Sequence, residues 1–267
     1  MEQPFISSTS SPESSFVTDT TTLIIPSISI GNIPQLTIDL FIHTYNLIKV
    51  GTLNDLYVYP FASPIDYSNN HGTVGLSNAI EVYHNPQLKI TLIQQRSPIL
   101  PSFTESYVIK VIIPFIQSLT QLTKVLILDS SDAGLFEHVQ AGDIELYTTE
   151  VLLSKSLESL ELSSEKVYDD SKKENNDTSN YVRSLLKALN FPRIIDTTND
   201  VNYTFDVNVL VSFVYEGDNF YDGEKLATKT AEVLKLNIPT IWTRPISWFG
   251  AYGDKPIPNS MEEGLFG

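Results

Sequence analysis

Two continuous apolar segments constrain the fold of this chain more than any other feature. Residues 124–128 and 207–215 are strand-forming runs in which apolar side chains fall on both faces. A strand of that kind must be covered on both sides, as happens in the sheets of α/β proteins. Because such strands alternate with helical patterns along the chain, we predict a single-domain α/β/α sandwich around a central mixed, largely parallel sheet.

The remaining elements follow from apolar spacing and from turn residues. Ser102 and Glu105 have the capping-box spacing that starts a helix, and Pro114 is expected to kink that helix. The helical spacing of apolar residues predicts helices over 35–45, 102–119, 179–189 and 223–236. Further strands are predicted over 21–30, 47–51, 56–61, 79–83, 88–94, 143–148 and 238–242.

Local changes in amino-acid composition predict where the folded domain begins and ends. Residues 1–22 hold 11 Ser and Thr, which predicts a disordered N-terminal tail, and the α/β domain is expected over 23–253. Within it, 154–177 is rich in Ser and acids and is interpreted as a mobile acidic insertion. Residues 254–267 are expected to form a flexible C-terminal tail.

Charge and residue usage narrow the classes of partner. The net charge is −15, from 17 basic and 32 acidic residues, and the longest basic run is Lys172-Lys173. This argues against nucleic acid and favours a basic protein surface. There are no cysteines, which excludes disulfides and thiolate metal sites and fits an intracellular protein. The sequence has neither a signal-peptide pattern nor an apolar run of transmembrane length, so no membrane association is expected.

An enzyme remains a competing hypothesis. Asp129 and Asp132 follow one buried strand and Glu216 follows the other, where open α/β sheets place their ligands. If the chain is an enzyme, Asp129, Arg96 and Glu216 should converge in a pocket with perturbed pKa values. The alternative is that these acids cap turns and that Arg96 pairs with an acid. No phosphate-binding glycine motif and no closely spaced histidine pair is present, so neither cofactor nor metal is expected.

The C-terminal part carries the candidate binding residues. Arg244, Trp248, Phe249 and Tyr252 fall in one short segment, and such residues are enriched at interface hot spots. The segment forms either an interface or a plug that packs on the domain's own core. The chain ends with Leu265, Phe266 and Gly267, an apolar-aromatic end whose free carboxylate suits a pocket with a lysine.

An ordered set of motifs resembles the fungal branch of the proteasome assembly chaperone 2 family. They are LIIPSISIGNIPQL at 23–36, EVY at 81–83, IQQR at 93–96, VIIPF at 111–115, LDS at 128–130, EGDN at 216–219, RPISW at 244–248 and GAYG at 250–253. Each motif alone is weak, but together they occur in the family's order over about residues 23–253.

This resemblance implies a non-enzymatic chaperone with an α/β sandwich fold. Such a protein pairs with proteasome assembly chaperone 1, binds the proteasome α-ring, guides its assembly and blocks premature binding of activators. Fungal members end in a hydrophobic–tyrosine–any tail that inserts between α subunits, and Phe266 occupies the tyrosine position here. We expect a cytoplasmic location, with the nucleus as an open alternative. The competing function is a small-molecule enzyme on a nucleoside-phosphorylase-like fold that uses Asp129 and Glu216.

Overall fold

A computed structural model describes residues 5–7, 14–66, 75–136, 139–148, 179–189 and 205–248. Its strands are β1 (Phe5–Ser7), β2 (Thr22–Pro26), β3 (Ile48–Leu53), β4 (Ala62–Pro64), β5 (Leu76–Asn78), β6 (Ile80–Asn85), β7 (Ile90–Gln95), β8 (Lys124–Asp132), β9 (Ile144–Tyr147) and β10 (Asp206–Val214). Its helices are α1 (Ser14–Asp19), α2 (Ile33–Thr44), α3 (Thr104–Tyr107), α4 (Ile113–Ser118), α5 (Asn180–Ala188) and α6 (Phe220–Val233).

Eight strands form one mixed sheet in the order β1-β3-β6-β7-β2-β8-β10-β9, and β4 and β5 form a separate hairpin. The four central strands, β7, β2, β8 and β10, run parallel, and the outer strands join them antiparallel. The mixed sheet with a parallel centre confirms the predicted fold class.

Helices cover both faces of this sheet. Val125 and Ile127 of β8 pack into a core with α3, α4 and α5. Leu126 and Leu128 point to the opposite face and pack with α2 and α6. The continuous apolar run is thus divided between two cores, which is why both faces of the strand need apolar residues. Within the described ranges, no helix has the length and apolar character that a bilayer span requires.

The helix predicted over 102–119 forms, but in three pieces. The capping-box prediction was wrong: Ser102 has a φ of 66°, and α3 begins after Phe103 without a side-chain cap. A π turn over Val108–Ile112 separates α3 from α4. Pro114 lies at the start of α4. Because proline has no amide hydrogen and clashes with the carbonyl four residues earlier, the wider π turn accommodates it where a kink was expected.

Two predicted strands are absent from the described part of the sheet. Residues 56–61 contribute only an isolated bridge between Val58 and Ile99. Residues 238–242 are irregular and run across α2 and α6 instead of joining the sheet. Their apolar side chains are explained by this packing, since Trp242 stacks on Phe41 with ring centroids 5.6 Å apart.

Where the structure describes the N-terminal segment, at residues 5–7 and 14–22, it is folded, unlike the disordered tail expected over 1–22. Phe16 of α1 is 6% exposed and belongs to the core, and Thr20 donates to the Phe16 carbonyl at 2.7 Å. The three residues of β1 pair with β3. Phe16 thus contributes to the core from a segment whose average composition is polar. The predicted insertion over 154–177 and the tail over 254–267 lie outside the described residues.

Candidate functional site

The carboxyl ends of the parallel strands β7, β2, β8 and β10 meet at one edge of the sheet. Open α/β sheets bind ligands in the crevice at this edge. Arg96 follows β7 and Glu216 follows β10, but Asp129 lies inside β8, near its carboxyl end, and not after the strand as predicted. This edge is where a catalytic site would lie. The surroundings of each residue decide between a reactive and a structural role.

Asp129 has a structural role, because its carboxylate connects two separate elements through hydrogen bonds. Its side chain is fully buried, and one carboxylate oxygen accepts a hydrogen bond from the Ser27 hydroxyl. The other oxygen accepts from the Ser179 amide at 2.8 Å, at the start of α5. Burial raises the pKa of Asp129, and these hydrogen bonds oppose that rise. The carboxylate thus joins the end of β2 to the start of α5, and its acceptor positions are occupied by this chain.

Arg96 lies at the same edge but binds different partners. Its guanidinium donates to Asp39 Oδ1 of α2 at 3.0 Å and to Ser77 Oγ at 3.2 Å. The side-chain amide of Gln94 donates to the same Asp39 oxygen at 2.5 Å. Burial raises the pKa of Asp39, while the positive charge of Arg96 lowers it. Arg96 therefore locks α2 onto the sheet, as the alternative to an anion clamp predicts.

A second buried acid beside this pair was not identified from the sequence. Glu81 of β6 is fully buried and accepts hydrogen bonds from Lys49, from the hydroxyls of Ser77 and Tyr83, and from the Asn78 amide. Burial raises its pKa, but the donors outweigh burial and bring the pKa of Glu81 below its usual value. The sequence does show an acid, Glu81, inside an apolar strand. A buried acid requires a hydrogen-bond or ion-pair partner, so this position could have been identified.

Glu216 is exposed, and the buried polar residue of its loop is Asn219. The Asn219 side chain accepts from the Gly217 amide at 3.0 Å and donates to the Tyr215 carbonyl at 2.9 Å. The Asn219 side chain also contacts Gly31, whose φ is 67°. A Cβ atom added at Gly31 would lie 2.6 Å from Asn219 Oδ1. Glycine is therefore required at position 31, because both the backbone conformation and the close approach exclude a side chain.

The structure does not bring Asp129, Arg96 and Glu216 into a common pocket. The first two are each engaged by separate structural partners and the third faces solvent. Among the residues that the structure describes, no group of three or more His, Asp or Glu side chains is arranged to hold a metal ion. At this edge, the described side chains of Asp129 and Arg96 are engaged by serines, an amide and an ion pair of the chain itself.

The C-terminal candidates that the structure describes pack on the domain. Residues 237–248, which we name the C-terminal strap, cross α2 and α6. Trp248 is 5% exposed, and its ring centroid lies 4.6 Å from that of Phe220. Arg244 forms an ion pair with Glu224 of α6 at 2.8 Å. Trp248 thus matches the core-plug alternative. Phe249, Tyr252, Leu265, Phe266 and Gly267 lie outside the described residues.

Comparisons with known proteins agree on one family. A family model described as the PAC2 family matches residues 23–208. A Danio rerio protein named proteasome assembly chaperone 2 is 36% identical over 140 residues, or 51% of each chain. A protein of the same name from Saccharomyces cerevisiae is 26% identical over 255 residues, covering 86% of this chain and 94% of the relative.

The fold is also found among solved structures. The crystal structure of Pyrococcus furiosus PbaB, an archaeal proteasome activator, matches with a TM-score of 0.55 and 14% identity, covering 88% of this chain and 90% of the other. At that identity the likeness concerns the fold alone. The sequence match is independent of it and runs from β2 through β7 and β8 to the first residues of β10. The chain belongs to the PAC2 family.

Proposed function

We propose that this chain is a proteasome assembly chaperone that acts by binding other proteins and carries out no chemistry. The observation that carries the proposal is that Asp129 and Arg96, at the carboxyl edge of the sheet, are engaged by the chain's own residues. A chaperone has no need for the substrate crevice that an enzyme keeps open at this edge. The names of the zebrafish and yeast relatives supply the biological context.

In this proposal the chain forms a heterodimer with proteasome assembly chaperone 1. The heterodimer binds the α-ring of the proteasome core particle, guides its assembly and blocks premature binding of activators, in the cytoplasm and the nucleus. The net charge of −15 supports a basic protein surface as partner, because opposite fields accelerate encounter.

Leu265, Phe266 and Gly267 are proposed to insert between two α subunits. The C-terminal strap supports this proposal, because Trp248 holds the chain to the domain just before the last nineteen residues. Nineteen residues extend at most about 63 Å, at roughly 3.3 Å per residue. The end of the chain therefore has ample reach from the surface of α6.

The test is a pull-down of the tagged full-length protein from its own cell extract, followed by mass spectrometry of the co-eluting proteins. We expect a similar-sized α/β partner together with proteasome α subunits. Recovery of neither would contradict the proposal. Asp129 and Glu216 would then be the first residues to mutate in a search for enzymatic activity.

A further inference from the structure

Large apolar side chains are exposed at the carboxyl ends of β8 and β10. Leu135, in the short turn that follows β8, is 70% exposed, and Tyr215, directly after β10, is 60% exposed. The two connections touch, because a Cβ atom added at Gly134 would lie 3.4 Å from Cε1 of Tyr215. The fold therefore leaves an aliphatic and an aromatic side chain in solvent on adjoining connections.

This surface continues onto the first turn of α6, where Tyr221 is 66% exposed. The Asn219 side-chain amide joins the two parts, since it donates to the Tyr215 carbonyl at 2.9 Å and to Asp222 Oδ2 at 3.1 Å. We name Leu135, Tyr215 and Tyr221 the carboxyl patch. Exposed apolar patches rimmed by polar residues are typical of protein contact surfaces, and tyrosine is enriched at their hot spots.

The charged residues around the carboxyl patch are almost all acidic. Lys225 is the only base that the structure describes over 132–143 and 215–225. Its ammonium lies 4.7 Å from the centre of the Tyr221 ring and would lie 3.0 Å from a Cβ atom added at Gly142, which connects the loop before β9 to α6. Glu224 is paired with the C-terminal strap. The other acids in these ranges are Asp132, Asp143, Glu216, Asp218 and Asp222.

This acidic charge is not spread evenly over the molecule. The charged residues of α3, the π turn, α4 and α5 are one acid and three bases. The five acids beside the carboxyl patch thus form a local negative field, and not merely a share of the net charge of −15. Such a field attracts a protein surface that is rich in lysine and arginine and repels an acidic one.

The carboxyl patch also lies beside the point from which the last nineteen residues leave the domain. The ring centroid of Trp248 lies 4.6 Å from that of Phe220, and Phe220 directly precedes Tyr221 in α6. Two contacts with one partner raise each other's effective concentration when a segment of chain joins them. A partner that receives the end of the chain is therefore well placed to contact the carboxyl patch.

We propose that the carboxyl patch docks on a basic surface of the proteasome α-ring, as a second contact besides the last three residues. Tyr215 and Tyr221 pack on apolar side chains of that surface, and the carboxylates around them face its lysines and arginines. Glu216 then contributes to recognition and not to catalysis. This inference rests on the proposed function and adds to it the surface of the folded domain that meets the α-ring.

The test compares two charge reversals of equal size in the full-length protein. The patch variant carries Glu216→Lys and Asp218→Lys. The control variant carries Glu105→Lys, on α3, and Asp206→Lys, at the opposite end of β10. All four side chains are exposed, and thermal unfolding checks that both variants are folded.

The readout is binding to purified α-rings, measured by surface plasmon resonance. The affinity of the patch variant should fall about tenfold, because attraction to the basic surface becomes repulsion, and that of the control should stay within about twofold of the parent. Tyr215→Ala with Tyr221→Ala should also weaken binding about tenfold, since it removes two aromatic contacts. Ile241→Ala is the apolar control, because Ile241 is 82% exposed on the C-terminal strap, and it should leave the affinity unchanged.

Several results would overturn the inference. These are equal losses from the two charge reversals, an unchanged affinity of the patch variant, or loss of the heterodimer in the patch variant, which would assign the carboxyl patch to the partner chaperone. If the parent protein itself does not bind α-rings, the proposed function fails. If the parent binds and the patch variant binds equally well, only this inference fails.

Discussion

Buried charges in this protein are matched by donors from distant parts of the chain. Asp129 accepts from Ser27 and Ser179, and Asp39 accepts from Arg96. A buried charge without a partner costs several kcal/mol, so such contacts stabilise the fold mainly by preventing that cost. At the scale of single residues, the polar groups at the carboxyl edge are therefore structural.

The Arg96–Asp39 pair provides the first prediction. Arg96→Met should lower the free energy of unfolding by about 3 kcal/mol, because it leaves the buried Asp39 carboxylate without its guanidinium. The double variant Arg96→Met, Asp39→Asn should recover most of that loss. Urea unfolding measures both values.

An exposed ion pair serves as the control for that prediction. The Arg244 side chain is 42% exposed in its pair with Glu224. Arg244→Met should therefore cost less than about 1 kcal/mol. If Arg96→Met proved as mild as Arg244→Met, the buried pair would not be holding α2 onto the sheet.

His84 provides a prediction on pH. Its ring is buried, and Nδ1 lies 3.0 Å from the Thr91 hydroxyl. Burial lowers the pKa of His84 below its ordinary 6.5, although Asp19 raises it. Since the folded pKa is depressed, its contribution to stability is complete above the unfolded pKa and is lost as the pH falls through the folded pKa.

The measurement for His84 is urea unfolding at several pH values between 7.5 and 5. The free energy of unfolding of the parent protein should decline more steeply with falling pH than that of His84→Gln. Subtracting the two curves removes the titration of His43, whose pKa burial also lowers. Parallel curves for the two proteins would show that His84 does not titrate differently on unfolding.

At the scale of elements, the C-terminal strap takes the place of the strand expected over 238–242. The Trp242 indole donates to the Thr228 hydroxyl of α6 at 3.2 Å, and the Thr243 amide donates to the Thr44 hydroxyl of α2 at 3.0 Å. Farther along, the Ser247 amide donates to Asp66 at 3.2 Å. The strap thereby joins two helices and a loop after β4.

Trp248 is the residue with which to test the strap. Trp248→Ala should lower the free energy of unfolding by about 3 kcal/mol, since it leaves a cavity beside Phe220. Trp248→Phe keeps an aromatic ring and should lose less. Ile241→Ala, on the exposed side of the same strap, should change stability by less than about 0.5 kcal/mol. Equal effects of Trp248→Ala and Ile241→Ala would argue against packing of the strap.

At the scale of the whole molecule, the sandwich holds the chain as far as Trp248, after which the last nineteen residues follow. The sheet and its two helical layers use elements from β1 to α6, and the strap ends at Trp248 on α6. Changes to the last three residues should therefore act on binding without altering the stability of the domain.

Deletion of Leu265, Phe266 and Gly267 should weaken binding to purified α-rings and leave the heterodimer with the partner chaperone intact. Phe266→Tyr should strengthen α-ring binding about 2- to 13-fold if the hydroxyl gains a hydrogen bond worth about 0.5–1.5 kcal/mol. Both affinities are measurable by surface plasmon resonance. An unchanged affinity after the deletion would contradict insertion of the tail.

Much of the fold was predictable, and the candidate site was predictable only in position. The sequence predicted the sandwich, the strands β6, β7, β8 and β10, and the helices α2, α5 and α6 within a few residues of their bounds. It also predicted that Arg96 and Glu216 follow strands, but it ended β8 too early, so Asp129 lies inside that strand. It did not predict that Asp129 binds Ser27, 102 positions away, or that Glu81 binds Lys49.

By itself, the sequence determined the layers of this protein. Local apolar spacing indicates whether a strand is buried on one face or on both. Val125 and Leu126, for example, are neighbours in the chain and pack into opposite cores. Only the tertiary structure decided which buried polar group meets which donor, whether residues 238–242 join the sheet, and that Phe16 of α1 joins the core. These outcomes depend on contacts between residues far apart in the chain, and local spacing carries no information about such contacts.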